Sequence, residues 1–347
     1  MDDVELSARK KVLLYSAIDN YIKLASPITS LLVQQTNLHD LSTATIRNEL
    51  NALEAMGYLK QLHTSSGRVP TTKGYRFFVD ETLKSAHFDS ASLSAVKDKM
   101  FSRTSNLSEI MDNISRAISS TTNYPTVLLF DGFDNLLIES IKVIYLLSSQ
   151  VLVLIETNAG AISHTISCSS NLSRQDCDNA SNLLSSLFSG KSMKYLTNNV
   201  PSFNETIKQK MAEYEEVFDL VLKVVDIYYN DTKSKVTNQG IIKLLESPGM
   251  ESVEKAKNIL TILDDENSLK DIMGTNSDEI SVHIGKENNN DKLMECAVIK
   301  APLVLDGKRI ATVGVIGPER IDYATISSVL KFVADEVRNK GKGGSNE

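Results

Sequence analysis

Residues 42–57 carry a pattern that suits reading DNA bases. On a helix turning about 100° per residue, Ile46, Leu50 and Leu53 fall within roughly 60° of one another and form an inward face. Ala44, Arg47, Asn48 and Asn51 occupy the opposite arc, with Thr43 and Thr45 near its edges. Such side chains fit a major groove. Arg pairs with guanine O6 and N7, Asn with adenine N6 and N7, and a small apolar group meets a thymine methyl. Plain solvation would put the same residues on any exposed helix. The neighbouring stretch 60–76 favours nucleic acid: it holds Lys60, Arg68, Lys73 and Arg76, with His63 among them, and no acid. Cations beside a base-reading helix supply the phosphate contacts that fix its register.

No other constellation supports chemistry. His39, His63, His87, His164 and His283 are scattered, without HExxH or GxSxG. Cys168, Cys177 and Cys296 stand far apart with no CxxC. That usage suits a reducing compartment and offers no zinc site. Asp264-Asp265-Glu266 reads as a solvated helix end. Residues 314–317 are Gly-spaced but lack a dinucleotide fingerprint or a P-loop, and read as a tight turn between a strand and a helix. Neither an enzyme nor a cofactor or metal is expected.

The elements that must position the base-reading face follow from spacing. Leu14, Ile18, Tyr21, Ile22 and Ala25 define a first helix, and a second runs from about Ile28 to Thr36 after Pro27. Ser42 is a good N-cap for the third helix and Gly57 a fitting residue just past its end. Residues 58–62 and 68–71 read as two short strands around Thr64-Ser65-Ser66-Gly67. Three helices and a hairpin make a winged helix-turn-helix over 1–84.

Beyond it, 85–122 reads as a helical linker and 341–347 as a mobile tail. Strand-like runs lie at 126–130, 139–147, 150–156 and 162–168, and again at 280–284, 295–302 and 308–315. Helical patterns cover 176–188, 202–226, 239–265 and 322–340. The expected fold is therefore α+β and multidomain: one α/β domain in two parts, 123–171 and 237–340, interrupted by a mainly helical insert at 172–236. Within the insert Ile207, Met211, Tyr214, Phe218, Val221, Leu222 and Val225 form a broad apolar stripe. It suits a dimer contact or burial within its own domain.

Composition agrees with a globular protein. With 41% hydrophobic residues there is ample core for 347 residues, and 16 Gly with 7 Pro favour helix over a many-stranded sandwich. The net charge of −7 is uneven: ten Lys or Arg against nine Asp or Glu up to Lys84 leave −8 on the remainder. The apolar run 143–155, broken by Ser148-Ser149-Gln150, is too short to span a bilayer. No membrane contact is expected, and the chain reads as cytoplasmic.

Several runs resemble one known family. Residues 41–50 (LSTATIRNEL), with Leu53-Glu54 and Gly57-Tyr58-Leu59, are similar to the recognition-helix region of HrcA, the bacterial heat-inducible transcription repressor. Residues 63–76 (HTSSGRVPTTKGYR) resemble that family's wing. Residues 314–323 (GVIGPERIDY) and 284–288 (IGKEN) resemble two further signatures. The resemblance implies an N-terminal winged helix, a GAF-like domain and an inserted dimerisation domain. It also implies a homodimer that represses chaperone operons at an inverted-repeat operator of double-stranded DNA, the CIRCE element, with activity dependent on chaperonin. Two departures stand out. Ala25-Ser26-Pro27-Ile28-Thr29-Ser30 replaces the family's acidic start of helix two, and the middle third matches loosely. A ligand-sensing regulator, with the GAF-like domain as effector pocket, is the nearest alternative.

Overall fold

The computed structural model describes residues 6–36, 39–61, 67–85, 90–100, 106–146, 149–198, 214–232, 235–246, 250, 252–274 and 277–343. The chain is a mixed α+β structure.

The N-terminal unit contains α1 (Ala8–Leu24), α2 (Ser30–Thr36) and α3 (Thr43–Ala55), followed by the antiparallel ribbon of β1 (Leu59–Gln61) and β2 (Arg68–Pro70). Leu14 and Ile18 of α1 are fully buried, together with Ile46, Leu50 and Leu53 of α3. Ser42 caps α3 as expected, its hydroxyl accepting the Thr45 N–H at 3.1 Å. Gly57 follows the helix at φ +79°, a left-handed turn that a Cβ would strain.

Helix α2 starts two residues later than its spacing suggests. Ile28 instead bridges to Arg68, with Ile28 N–H to Arg68 O at 2.7 Å and the reverse bond at 2.9 Å. The Thr29 hydroxyl then accepts the Leu32 N–H at 3.2 Å and starts the helix. A fourth helix, α4 (Thr72–Ser85), follows the ribbon at once. Lys73 and Arg76, grouped with the wing in the sequence, therefore stand on a helix. Thr71 makes the switch: its hydroxyl donates to Gly57 O at 2.7 Å and accepts the Gly74 N–H at 3.2 Å. Tyr75, Phe78, Val79 and Thr82 then bury one face at helical spacing.

Five antiparallel strands form the body's main sheet, in the order β7-β3-β10-β9-β8. They are β3 (Thr126–Phe130), β7 (Lys235–Gln239), β8 (Ser281–Ile284), β9 (Cys296–Leu305) and β10 (Lys308–Pro318). Leu128, Phe130, Ile299, Leu303, Val313 and Val315 face α6 (Leu107–Thr122) and α13 (Tyr323–Gly343). Val127, Leu129, Val298 and Ile316 face α11 (Val253–Asp264) and α12 (Glu266–Met273). Burial on both faces is why β9 reads as a nearly unbroken apolar run.

Four expectations change here. Helix α6, read as part of a linker, is a core helix with Ile110, Met111, Ile114 and Ile118 buried, and α5 (Ser90–Met100) comes just before it. Gly314 and Gly317 lie inside β10 rather than in a turn. Their missing side chains let neighbours approach: a Cβ on Gly314 would meet the Met273 methyl at 2.8 Å and Ile299 O at 2.9 Å. Strand β7 stands where no element was expected, just ahead of the helix read from Gln239, because its sequence KVTNQ has a single apolar residue and gives no periodic signal. Residues 341–343 extend α13, while 344–347 lie outside the described residues.

The early strands do not all join the late ones. Only β3 does, with Phe130 opposite Ala311 of β10. The others, β4 (Ile138–Tyr145), β5 (Gln150–Thr157) and β6 (Ala161–Ser167), pair in chain order as a separate three-stranded sheet. Successive hairpins close short loops, which costs less entropy than reaching strands over 100 residues away. The chain thus leaves the five-stranded sheet after Phe130 and builds a sheet of its own from Ile138 to Ser167. Helix α7 (Arg174–Phe188) lies along β4, followed by α8 (Met193–Asn198) and α9 (Glu215–Thr232), then α10 (Ile241–Glu246) after β7. Of the apolar stripe, Phe218, Val221 and Val225 are buried among the chain's own residues, Phe218 stacking on Phe188 at 6.3 Å. Ile207 and Met211 lie outside the described residues.

Candidate nucleic-acid interface

Helix α3 presents the expected row. Thr43, Ala44, Arg47, Asn48 and Asn51 are exposed, and Thr45 is half-buried with its hydroxyl bonded to that of Ser42 at 2.8 Å. Arg47 and Asn48 have no hydrogen-bond or ion-pair partner among the described residues. Both are free to meet another molecule. The inner face of the same helix is locked into the core, and Glu49 holds α1 through Arg9 at 3.7 Å and Lys10 at 3.5 Å.

The four cations of the 60–76 stretch separate into different environments. Lys60 is exposed on β1, opposite Val69. Lys73 is exposed but leans back: its ammonium lies 4.4 Å from the Tyr58 ring centre and donates to Met56 O at 3.4 Å. Arg68 turns inward. Its Nε donates to Glu54 Oε2 at 2.8 Å and its Nη2 to Asn51 Oδ1, so it braces the ribbon against α3. Arg76 points to the body, where Nε donates to Glu287 Oε1 at 3.0 Å and Nη2 to Val282 O at 2.6 Å. His63 lies outside the described residues.

Acidic partners were the part missed from sequence. Glu54, Glu287 and Glu319 hold the N-terminal unit in shape and in place. Glu319 Oε1 accepts the Thr72 hydroxyl at 2.8 Å. Burial pushes its carboxyl above the usual range, against the pull of that hydroxyl and of Lys60. Glu287 and Glu319 both sit in runs noted as signatures, but a distant counter-ion has no spacing to betray it.

Elsewhere the described residues offer little reactive chemistry. Burial pushes the Cys177 thiol up to about 11 and that of Cys296 up to about 12, so neither is a ready nucleophile. No metal-binding group of His, Cys, Asp or Glu occurs among the described residues. Nor is any described helix long and apolar enough to cross a membrane.

Comparison with known proteins agrees with this layout. The family model described as the HrcA protein C terminal domain matches residues 108–326. A protein of Acetivibrio thermocellus named heat-inducible transcription repressor HrcA is 30% identical over 338 residues, 96% of this chain and 95% of that one. Its namesake in Brevibacillus brevis is 28% identical over 331 residues, 95% and 96% of the two chains. A crystal structure of a hypothetical protein at 2.2 Å resolution shares the fold, with a TM-score of 0.73 at 22% identity over 98% of this chain and 100% of that one. An α+β body carrying a small helical unit with an open polar helix face, and these relatives, define the class of transcription repressors. Within that class the chain belongs to the HrcA family.

Proposed function

We propose that the chain is a sequence-specific, DNA-binding repressor of heat-shock operons. In this reading residues 6–85 act as a winged helix-turn-helix. Helix α3 enters the major groove with Arg47 and Asn48 on base edges and Thr43, Ala44, Thr45 and Asn51 beside them. Lys60, His63 and Lys73 meet phosphates. Arg68 and Arg76 serve the same end indirectly, by holding the ribbon and the unit. The observation that carries the reading is the unpartnered Arg47–Asn48 pair on a helix whose other face is fully buried.

The five-stranded sheet with its flanking helices acts as a GAF-like domain, and the interrupting unit of β4–β6 with α7–α9 supports a homodimer. A two-fold dimer presents two recognition helices and so reads an inverted repeat such as CIRCE. Long-range pairing supports chaperonin dependence: β3 must find β10 about 180 residues later, which slows folding and exposes apolar edges. A chaperonin occupied by other clients would then leave less active repressor. The ligand-sensing alternative finds only ≈ 30 Å³ between α6, β9, β10 and α13, enough for about one water, and would have to use the cleft of ≈ 490 Å³ between α4, β9 and α13.

The test is operator binding by purified protein at growth and heat-shock temperatures, with and without chaperonin and ATP. Salt-sensitive preference for an inverted repeat, lost on warming and restored by chaperonin, is expected. Equal affinity for scrambled DNA would remove the repressor reading. Full binding at the higher temperature with no chaperonin effect would remove the heat-sensing mechanism.

A further inference from the structure

We propose that Arg76 and Thr72 of α4, with Glu287 and Glu319 of the body, are positioning residues that set the pose of α3 on the body. They thereby set the half-site spacing that a dimer accepts. The proposal rests on the DNA-binding reading above and adds the element that gives it geometry.

The seat is built from both sides. Arg76 grips Glu287 with two nitrogens, adds the Val282 carbonyl and reaches Asp80 at 3.4 Å. A planar guanidinium held by a carboxylate and a carbonyl fixes orientation as well as distance. Glu287 cannot drift, because its Oε2 also accepts the Ile284 N–H at 2.9 Å. Asn288 next to it donates to Gly285 O, Leu293 O and Cys296 O at 2.9–3.1 Å, which ties the loop to β9.

A second contact lies one helical turn away. Thr72 donates to Glu319, and Gly285 at φ +56° fits between them: a Cβ there would meet Glu319 Oε1 at 2.8 Å and Thr72 Oγ1 at 3.1 Å. Behind it Tyr323, fully buried, donates to Glu319 O at 2.5 Å and lies 6.1 Å from Tyr75 and 6.4 Å from Phe78. Arg320 covers Tyr21 of α1 at 5.9 Å.

The same end of α4 grips the residues that close α3. Thr71 bonds Gly57 O, Lys73 reaches Met56 O, and Gly74 packs so closely that a Cβ would lie 2.3 Å from Tyr58 O. The path from Glu287 to α3 therefore has no loose joint, and a shift of α4 on the body would carry α3 with it. The two signature runs, 284–288 and 314–323, act here as one socket.

The decisive measurement uses the full chain and duplexes bearing the inverted repeat found by footprinting chaperone promoters. Their central spacer is varied by one and two base pairs, each step moving a half-site by about 3.4 Å and turning it with the helix. Wild type should prefer one spacing by at least about tenfold. Arg76→Glu and Glu287→Arg should each reduce that preference to about threefold or less, Glu287→Arg with single half-site binding unchanged, and the double reversal should restore it. Thr72→Val, which disturbs the fold less, should broaden spacing tolerance in the same direction. An unchanged preference in the single variants, or no recovery in the double, overturns the proposal. A wild type that binds no half-site overturns the DNA-binding reading, and this proposal with it.

Discussion

Arg68 and Glu54 pair at 2.8 Å across the seam between the β1–β2 ribbon and α3, with Arg68 only 12% exposed. One of the four cations read from sequence as phosphate contacts thus stiffens the scaffold. Arg68→Ala should cost about 1–2 kcal/mol of stability by leaving Glu54 and Asn51 unpaired. It should weaken binding to all DNA while the slope of log affinity against log salt stays near wild type. Lys60→Ala should instead lower that slope by about one counterion with no loss of stability. Urea unfolding and salt titrations separate the two; a reduced slope in Arg68→Ala would restore it to the phosphate contacts.

Arg47→Ala and Asn48→Ala test base reading. Each should lose roughly 1–3 kcal/mol of operator affinity and leave non-specific binding nearly unchanged. Both side chains are exposed and unpartnered, so thermal stability should not move. Equal losses on operator and scrambled duplexes would mean that these residues only touch phosphate.

Glu319 makes stability depend on pH in a stated direction. Burial raises its folded-state pKa above the ordinary 4.5, with Glu295 adding to the rise and Lys60 and Lys255 opposing it. The folded chain then keeps a proton that the unfolded chain releases, so this group's contribution falls as pH climbs from 4.5 through the raised value. Glu319→Gln keeps an acceptor for Thr72 and removes the titration. The variant should show a flatter dependence of its urea midpoint on pH just above 4.5. A slope identical to wild type would assign the pH dependence to other groups.

Ser181 and Ser185 close the open edge of β4. Their hydroxyls take the Val143 and Ile141 N–H groups at 2.8 and 3.0 Å, and Ser185 returns a bond to Ile141 O at 2.8 Å. Two serines one helical turn apart thus stand in for a neighbouring strand. Replacing both with Ala should destabilise the protein by about 1–3 kcal/mol and promote self-association through the bared edge. Light scattering during mild heating checks this; a double variant as stable and monodisperse as wild type would show that the edge needs no cover.

Much of the N-terminal unit was determined by the sequence alone, because its rules are local. Ser42, Gly57 and the Ile46, Leu50, Leu53 spacing define α3 from residues within a few turns of each other. Its outer face then follows from the helical period. The strands β9 and β10 were equally plain from their apolar content. Three matters were decided only by tertiary structure. The first is the fate of the cations, since Arg68 and Arg76 looked like Lys60 until Glu54 and Glu287 were placed beside them. The second is the division of strands between two sheets, since neither the continuous apolar run of β3 nor the alternating pattern of β4 names the strand it pairs with. The third is β7, a polar strand whose identity comes from the hydrogen bonds of β3. Local periodicity records which face is buried; it holds no record of the partner that buries it or of a counter-ion 211 residues away.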